Sequence, residues 1–431
     1  MASAVRASIY AHMEINKNGK VADIKGKTVS FDYYESVYSP VITAKLIFTD
    51  AGGSITADKA QDSNERRTNI KDGLPITQGE DVKVQIQSKF GTLNFKRRPL
   101  KVESSPIVNQ EENRTSVLLN LVSTPEIKNL DSAIHKKYKG RISDTVKKIL
   151  KDSLGIPRLN IDPTKNSYNF IGKGKSALDI VNDLCRRSIP EKGDPGYFFY
   201  ETQSGFNFKS IDRLIVEGSR RIKSDSSYRK SHTYRYSGAL RSNLDNDSND
   251  FRILLPPTQV RDQNLLDALK EGTYVSRNVF VDPRTFVKTE QIYHIGKDGV
   301  SNTLGKMPDF ADKVGSYTKT NYHILDIGSL EPDVSINTNN DPRQWQAKSK
   351  MRYNLLHSQL VQIQVPCNLR LEAGDVVRCE LAFPGDKPEE GSVSQQQSGN
   401  YLILHLCHHF DTERSYTSMT LARDTYGLYT K

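Results

Sequence analysis

His405, Cys407 and His409 alternate along an apolar stretch near the end of the chain. Alternation puts the three on one face of a strand and His408 on the other. Imidazole and thiolate at i and i+2 form a donor pair for zinc or copper. A closed site needs further ligands, and the sequence places no Asp, Glu or His motif nearby at ligand spacing. The expectation is a packed strand with hydrogen-bonded imidazoles, and no metal ligand is assigned. Gly172-Lys173-Gly174-Lys175-Ser176 shares residue types with a phosphate-cradling loop. Its first glycine is at the wrong spacing for G-x-x-x-x-G-K-[ST], and Ser176 as a helix cap accounts for the motif.

Cys185, Cys367, Cys379 and Cys407 form no C-x-x-C, so buried free thiols are expected. No G-x-S-x-G elbow, H-E-x-x-H or dinucleotide fingerprint is present. No catalytic residue, cofactor-binding residue or cofactor is therefore assigned. A glycosidase-like pair cannot be chosen from 51 acids without a fold.

The 431 residues, 36% hydrophobic and 26% charged, fit two or three globular domains. No run reaches the ~18 to 20 apolar residues of a membrane span. Met1-Ala2-Ser3-Ala4-Val5-Arg6 does not open a secretory signal, so the product is expected to stay in the cytoplasm where it is made. The net charge of +10 permits a polyanionic partner. Its densest clusters, Lys96-Arg97-Arg98 with Lys101 and Arg220 to Lys230, lack the interleaved aromatics of a stacking platform.

The elements that hold these residues change period along the chain. Residues 1–124 read as short strands: Ser8 to Ile15, a turn at Asn18-Gly19, Val41 to Phe48, Asp81 to Ile86, and Thr115 to Val122. Residues 125–216 read as a mixed domain. A first helix carries Val146, Ile149, Leu150 and Leu154 behind a cap at Ser143 or Asp144, and Gly155 stops it. A second starts at Ser176 with the face Ala177, Ile180, Val181, Leu184 and Cys185. A hairpin then joins Tyr197 to Glu201 with Phe206 to Lys209. Residues 217–261 read as a polar linker or partner-ordered segment, with 217–252 poorest in apolar side chains. Residues 262–431 return to strands, after a short helix capped by Asp262 and a loop-rich stretch over 297–343.

The final block repeats the first. Gln78-Gly79-Glu80-Asp81-Val82 and Ala373-Gly374-Asp375-Val376 both pass from a turn glycine through an acid into a strand. Asn113 to Leu121 parallels Arg414 to Leu421 as a Thr/Ser-rich closing strand. The fold expected is α+β and mainly β: two related antiparallel β-barrels with the mixed helix and hairpin domain between them. Three copies of a chain with two like barrels present six like units in a ring.

These residues also carry a resemblance. The hairpin Tyr197 to Leu214 after its helix, the Ala373-Gly374-Asp375-Val376-Val377 turn, and the ending Ser398 to Ile403, His408, and Tyr416 to Asp424 occur in the order found in one family. With the N-terminal strands, the chain resembles the central baseplate hub proteins of T-even-type contractile-tail bacteriophages. The resemblance implies tail-tube-like barrels and a homotrimer between a sixfold tail tube and a trimeric cell-puncturing spike. It implies contacts with other baseplate proteins, and genomic DNA passing without specific binding through a lumen expected to be neutral or acidic. It implies a structural virion protein of the tail baseplate, assembled in the host cytoplasm, with no enzymatic activity and no membrane insertion. Loops 50–73, 217–252 and 385–399 match no motif of that family. The alternative carried forward is a tail-associated cell-wall-binding or peptidoglycan-degrading protein.

Overall fold

The structure, a computed structural model, describes residues 3–425 apart from 52–54, 57–66, 75, 112–113, 237–248, 263, 284, 299, 301, 308–313, 326–340 and 383–392. Alternating side chains build the first strands, β1 (Ile9–Lys17), β2 (Lys20–Asp23), β3 (Thr28–Ser36) and β4 (Thr43–Asp50); the two-residue β5 (Ile55–Thr56) and β6 (Arg67–Thr68) follow. After the single turn α1 (Ile70–Gly73) come β7 (Asp81–Ser88), β8 (Gly91–Asn94), β9 (Leu100–Ser104), β10 (Ile107–Glu111) and β11 (Arg114–Ser123). Asn18 and Gly19 take φ of 50° and 88°, the left-handed pair that a two-residue hairpin requires. Val82, Val84 and Ile86 are buried on one face of β7, as their spacing predicts, in a core with Phe31, Leu46 and Leu119.

The middle contains α2 (Thr124–Leu130), β12 (Lys137–Tyr138), α3 (Ile142–Leu154), β13 (Leu159–Ile161), β14 (Phe170–Ile171), α4 (Ala177–Arg187), β15 (Tyr197–Thr202) and β16 (Gly205–Ser210). Neither Ser143 nor Asp144 caps α3, which starts at Ile142 with Arg141 in the cap position. Thr164 Oγ1 accepts from the Ser143 N–H, so a distant segment supplies the cap. Gly155, at φ 64°, ends the helix by returning its N–H to the Leu150 and Lys151 carbonyls.

The stretch read as a polar linker departs most from expectation. It holds most of α5 (Ile211–Ser224), then α6 (Ser226–Ser231) and β17 (Thr233–Tyr236); residues 237–248 of that reading lie outside the described ones. Ile211, Leu214, Ile215, Gly218 and Ile222 form the buried stripe of α5. A Cβ on Gly218 would stand 2.3 Å from Val376 Cγ2, so this glycine sets how closely the helix approaches the sheet. β18 (Thr258–Arg261) follows.

Asn264 caps the helix Leu265–Glu271 in place of Asp262, which accepts instead from Gln359 Nε2. The three-stranded sheet of β19 (Val275–Val281), β20 (Lys288–His294) and β21 (Lys319–Ile324) packs on the 15-residue helix Pro342–Leu356. The last strands are β22 (Gln359–Pro366), β23 (Val376–Leu381), β24 (Gly399–Asp411) and β25 (Ser415–Arg423). Most of the 385–399 excursion lies outside the described residues.

Fifteen strands from both ends of the chain share one sheet, ordered β18-β22-β25-β24-β3-β4-β11-β9-β7-β1-β2 with β10, β8, β23 and β17 beside it. Within it the order β4-β11-β9-β7 recurs as β22-β25-β24-β23, antiparallel throughout. The turns match atom for atom. The Gly79 N–H donates to the Val102 carbonyl (2.7 Å) and Val102 returns its N–H to Glu80 (3.0 Å). Gly374 and Asp375 make the same two bonds to Ile403 at 2.9 Å each. Each acid also accepts the N–H three residues earlier, Thr77 for Glu80 and Glu372 for Asp375. A bulge sits at the same place in both, since Leu121 faces Val102 and Asn120 faces Ser104, as Leu421 faces Ile403 and Thr420 faces His405. The β3–β24 ladder, from Ser36 opposite His405 to Ser30 opposite Asp411, joins the two halves. No ladder among the described residues closes either half on itself into the expected barrel.

Candidate functional site: the sheet face and the carboxylates beneath its seam

The outward side chains around the seam are Gln362 and Gln364 on β22, Ser418 and Thr420 on β25, His405 and Cys407 on β24, and Tyr34 and Ser36 on β3. None carries a formal charge at neutral pH. With Leu255, Pro256 and Thr258 they line a cleft of about 450 Å³. Further along the seam His409 contacts Asp32 (2.5 Å) and Asp411 (3.3 Å), two acids that the sequence reading did not bring to it.

The expected faces of β24 are observed, with His405, Cys407 and His409 outward and His408 buried. Burial and then His357 lower the pKa of His405, whose ring packs on Tyr38. Burial pushes His408 down to about 3, so it is neutral, stacked on Tyr33 and bonded to Thr417 Oγ1 (2.8 Å). Burial pushes the Cys407 thiol up to about 12, with Asp32 adding to the shift. A thiol held protonated and an imidazole engaged by two aspartates are poor ligands. Among the described residues no group of three or more His, Cys, Asp or Glu is placed to hold a metal. All four cysteines are free, and burial lifts Cys367 to about 11 and Cys379 to about 12.

The Gly172–Ser176 segment also has a structural role. Ser176 caps α4, and the first three N–H groups of that helix donate to Ser132 Oγ, Asn129 Oδ1 and Ser176 Oγ. These donors face partners within the chain, which leaves them unavailable to a phosphate.

Sequence reasoning missed the carboxylates under the seam. Glu35 is inward-facing on β3, in register with Phe31 and Tyr33. It accepts from Tyr33 Oη (2.6 Å), the Gln203 N–H (2.8 Å) and the Ala373 N–H (2.8 Å). One side chain thus ties the first strand block, the β15–β16 turn and the Gly374 turn together. Burial, with Glu372 adding, pushes Glu35 up to about 8 against the pull of those three bonds. Glu372 accepts from Thr202 Oγ1 and from both Ser204 Oγ and its N–H. Glu201 accepts from the Ile42 N–H and is raised by burial to about 7. The available signal was Glu35 itself, an acid at an inward position of an alternating strand. Apart from Tyr33, its partners Gln203 and Ala373 lie 168 and 338 residues away.

A second buried network surrounds Arg352, whose guanidinium bonds Asp212 Oδ1 (2.8 Å), Asp424 Oδ2 (2.9 Å) and the Asn302 carbonyl (3.0 Å). Asp212 also borders a cleft of about 580 Å³ with Asp162, Glu191 and Glu217. Glu217 is bonded by Arg213, and Asp162, raised by burial, accepts the Ser210 N–H. Glu191 pairs with Arg141 at 3.9 Å, so all four carboxylates have partners within the chain.

No protein-family model matches the chain, and no curated protein matches its sequence. Solved structures do match. The tail protein from Neisseria meningitidis MC58 superposes with a TM-score of 0.53 at 9% identity, covering 96% of each chain. The 43 kDa tail protein of prophage MuSo2 from Shewanella oneidensis gives 0.51 at 9% identity, covering 96% of this chain and 98% of its own. At such identity the likeness is one of fold, and it extends over nearly the whole length of all three chains. The chain has the mainly β architecture of these tail proteins.

Proposed function

We propose that the chain is a structural subunit of a contractile-tail baseplate, a trimeric central hub joining a sixfold tail tube to a threefold cell-puncturing spike. The observation that carries this reading is the internal duplication in strand order, turn bonds and bulge. A trimer of such chains offers six equivalent strand blocks to one neighbour and three whole chains to another. The fold shared with the Neisseria meningitidis tail protein and the MuSo2 prophage tail protein supports the setting. The stretch of that face formed by Gln362, Gln364, Ser418, Thr420, His405 and Cys407 carries no formal charge and suits a lumen wall, because a passing polyanion is neither trapped nor repelled by it. In this reading each half of the sheet closes into a tube-like barrel within the assembled ring, and the particle forms in the host cytoplasm.

Light scattering of the purified chain, alone and with a trimeric spike protein, tests the assembly. A trimer, either alone or on mixing, is expected; a monomer in both samples overturns the hub. Gln362→Lys with Thr420→Lys tests the lumen, with particles expected to assemble normally and deliver their genome poorly. Normal delivery would assign that face to another surface. The cell-wall alternative would use the cleft around Asp162 and Glu191. Clearing of a peptidoglycan gel that disappears with Asp162→Asn would favour it.

A further inference from the structure

The cleft beside the start of α5 has walls that the chain itself holds in place. Thr164 bridges to Pro190, the Lys165 N–H donates to the Ile189 carbonyl (2.8 Å), and Asp212 Oδ2 accepts the Asp194 N–H (2.9 Å). A Cβ on Gly193, at φ 103°, would stand 2.6 Å from that same oxygen, so this loop lies directly on the helix. From the helix come Arg213, Val216 and Arg220, three and four residues apart, an exposed stripe of cation, apolar group and cation. Pro163 and Pro190 extend the apolar part of the lining, and Lys192 adds a further exposed cation.

The four carboxylates of the cleft are matched within the chain. Arg352 bonds Asp212, Arg213 and Lys209 hold Glu217 at 2.5 and 3.6 Å, Arg141 stands 3.9 Å from Glu191, and Asp162 accepts the Ser210 N–H. Lys192 and Arg220 have no such partner among the described residues. The charge left over in the cleft is therefore positive.

We infer that this cleft binds an acidic protein segment that carries an apolar side chain between its carboxylates. Charge complementarity to Lys192 and Arg220 selects the acids. Val216, 43% exposed between Arg213 and Arg220, selects the apolar residue. The volume of about 580 Å³ takes a few side chains of such a segment, where a folded surface could not enter. Because the walls are already bonded in place, little ordering is lost on binding. A nucleic-acid strand finds no aromatic ring to stack on among the described residues of the lining. The inference goes beyond the hub reading and stands on the cleft alone, so either can fail without the other.

The test is fluorescence anisotropy of a labelled peptide of repeated Glu-Leu-Glu against the full chain at two salt concentrations. Wild type is expected to bind, more weakly in high salt. Lys192→Glu/Arg220→Glu is expected to lose about tenfold or more in affinity, whereas Lys96→Glu/Arg97→Glu, the same change of charge at another exposed cluster, stays within about twofold. Val216→Ser, which leaves the charge intact, is expected to lose about threefold, and it carries the test if the charge reversals fail to fold. No binding by wild type, equal loss in both charge variants, or no loss with Val216→Ser overturns the proposal. Tighter binding of a DNA strand of the same charge, lost in Lys192→Glu/Arg220→Glu, overturns it in favour of a nucleic acid. Clearing of a peptidoglycan gel that is lost with Asp162→Asn, by a protein that ignores the peptide, overturns it in favour of the cell wall.

Discussion

The two strand blocks use the same turn and anchor it differently. In the first, the acid of the turn, Glu80, accepts from Lys17 Nζ (2.9 Å), a side chain of the neighbouring β1. In the second, Asp375 faces Tyr228, His232 and Arg221, all from α5, α6 and the residue after them. The edge strands differ accordingly, with β1 antiparallel on β7 and β17 parallel on β23. The closing strands diverge too, since Leu121 and Leu421 occupy the same place in the ladders and Ser123 therefore corresponds to Arg423. Arg423 is buried and bonds Gln359 Oε1 and the Ser398 carbonyl, and Asp424 beside it completes the Arg352 network. The backbone bonds of the repeat are shared, and the side chains that brace it are particular to each copy. The recurrent bonds give both blocks one framework, and the buried ions mark where the second block has neighbours that the first lacks.

Breaking the brace particular to the second block should have the largest effect. Arg352→Met leaves Asp212 and Asp424 buried without their cation and should cost about 3 to 5 kcal/mol in chemical denaturation. A loss below about 1 kcal/mol would mean that the network braces nothing. The turn glycines give a sharper contrast. Gly79 and Gly374 have φ of 82° and 88°, and a Cβ at Gly79 meets nothing, whereas one at Gly374 would lie 2.2 Å from Tyr200 Oη. Gly79→Ala should therefore cost about 1 to 2 kcal/mol of backbone strain alone. Gly374→Ala should cost a further ~1 to 3 kcal/mol of overpacking, part of it recovered by Tyr200→Phe. Equal costs would mean that the two turns are packed alike.

The seam that joins the blocks should respond to pH. Burial raises Glu35 from its ordinary 4.5 up to about 8 in the folded state, so the native state holds its proton more tightly. Its contribution is then complete below about pH 4.5 and is lost as pH rises through 8. The melting temperature of wild type should fall across that window, and Glu35→Gln should be less stable at low pH with a flatter profile. An unchanged slope would remove Glu35 from the seam energetics. The smallest effect belongs to the first block's brace. Lys17 is one-quarter exposed, so Lys17→Met should cost at most about 1 kcal/mol, and less in high salt.

Much of the fold was legible because local chemistry and tertiary context agreed. Asn18-Gly19, Gly155, the Ser176 cap and the two Gly-acid turns each require one backbone conformation, and each residue type announces it. The α5 stripe was missed because Gly218 interrupts it and the intervening residues are charged. The interruption is a close contact with Val376, which no local pattern encodes. Asp262 failed as a cap because Gln359, almost a hundred residues on, claims it. The site was less legible than the fold. The alternation of β24 showed its faces, but Glu35, Glu201 and Glu372 meet only through a topology that places β3 against β24.

β24 serves two partners along one edge. Its first residues pair with β23 and its last seven with β3, and the change falls at the bulge, where the Leu404 carbonyl accepts the Val37 N–H. A load pulling the two blocks past each other along this strand is carried by every bond of the β3–β24 ladder at once. A load peeling them apart sideways meets those bonds one at a time. The molecule is accordingly stiff in shear and weak in peeling, and the bulge, where pairing changes hands, is the point from which a tear would start.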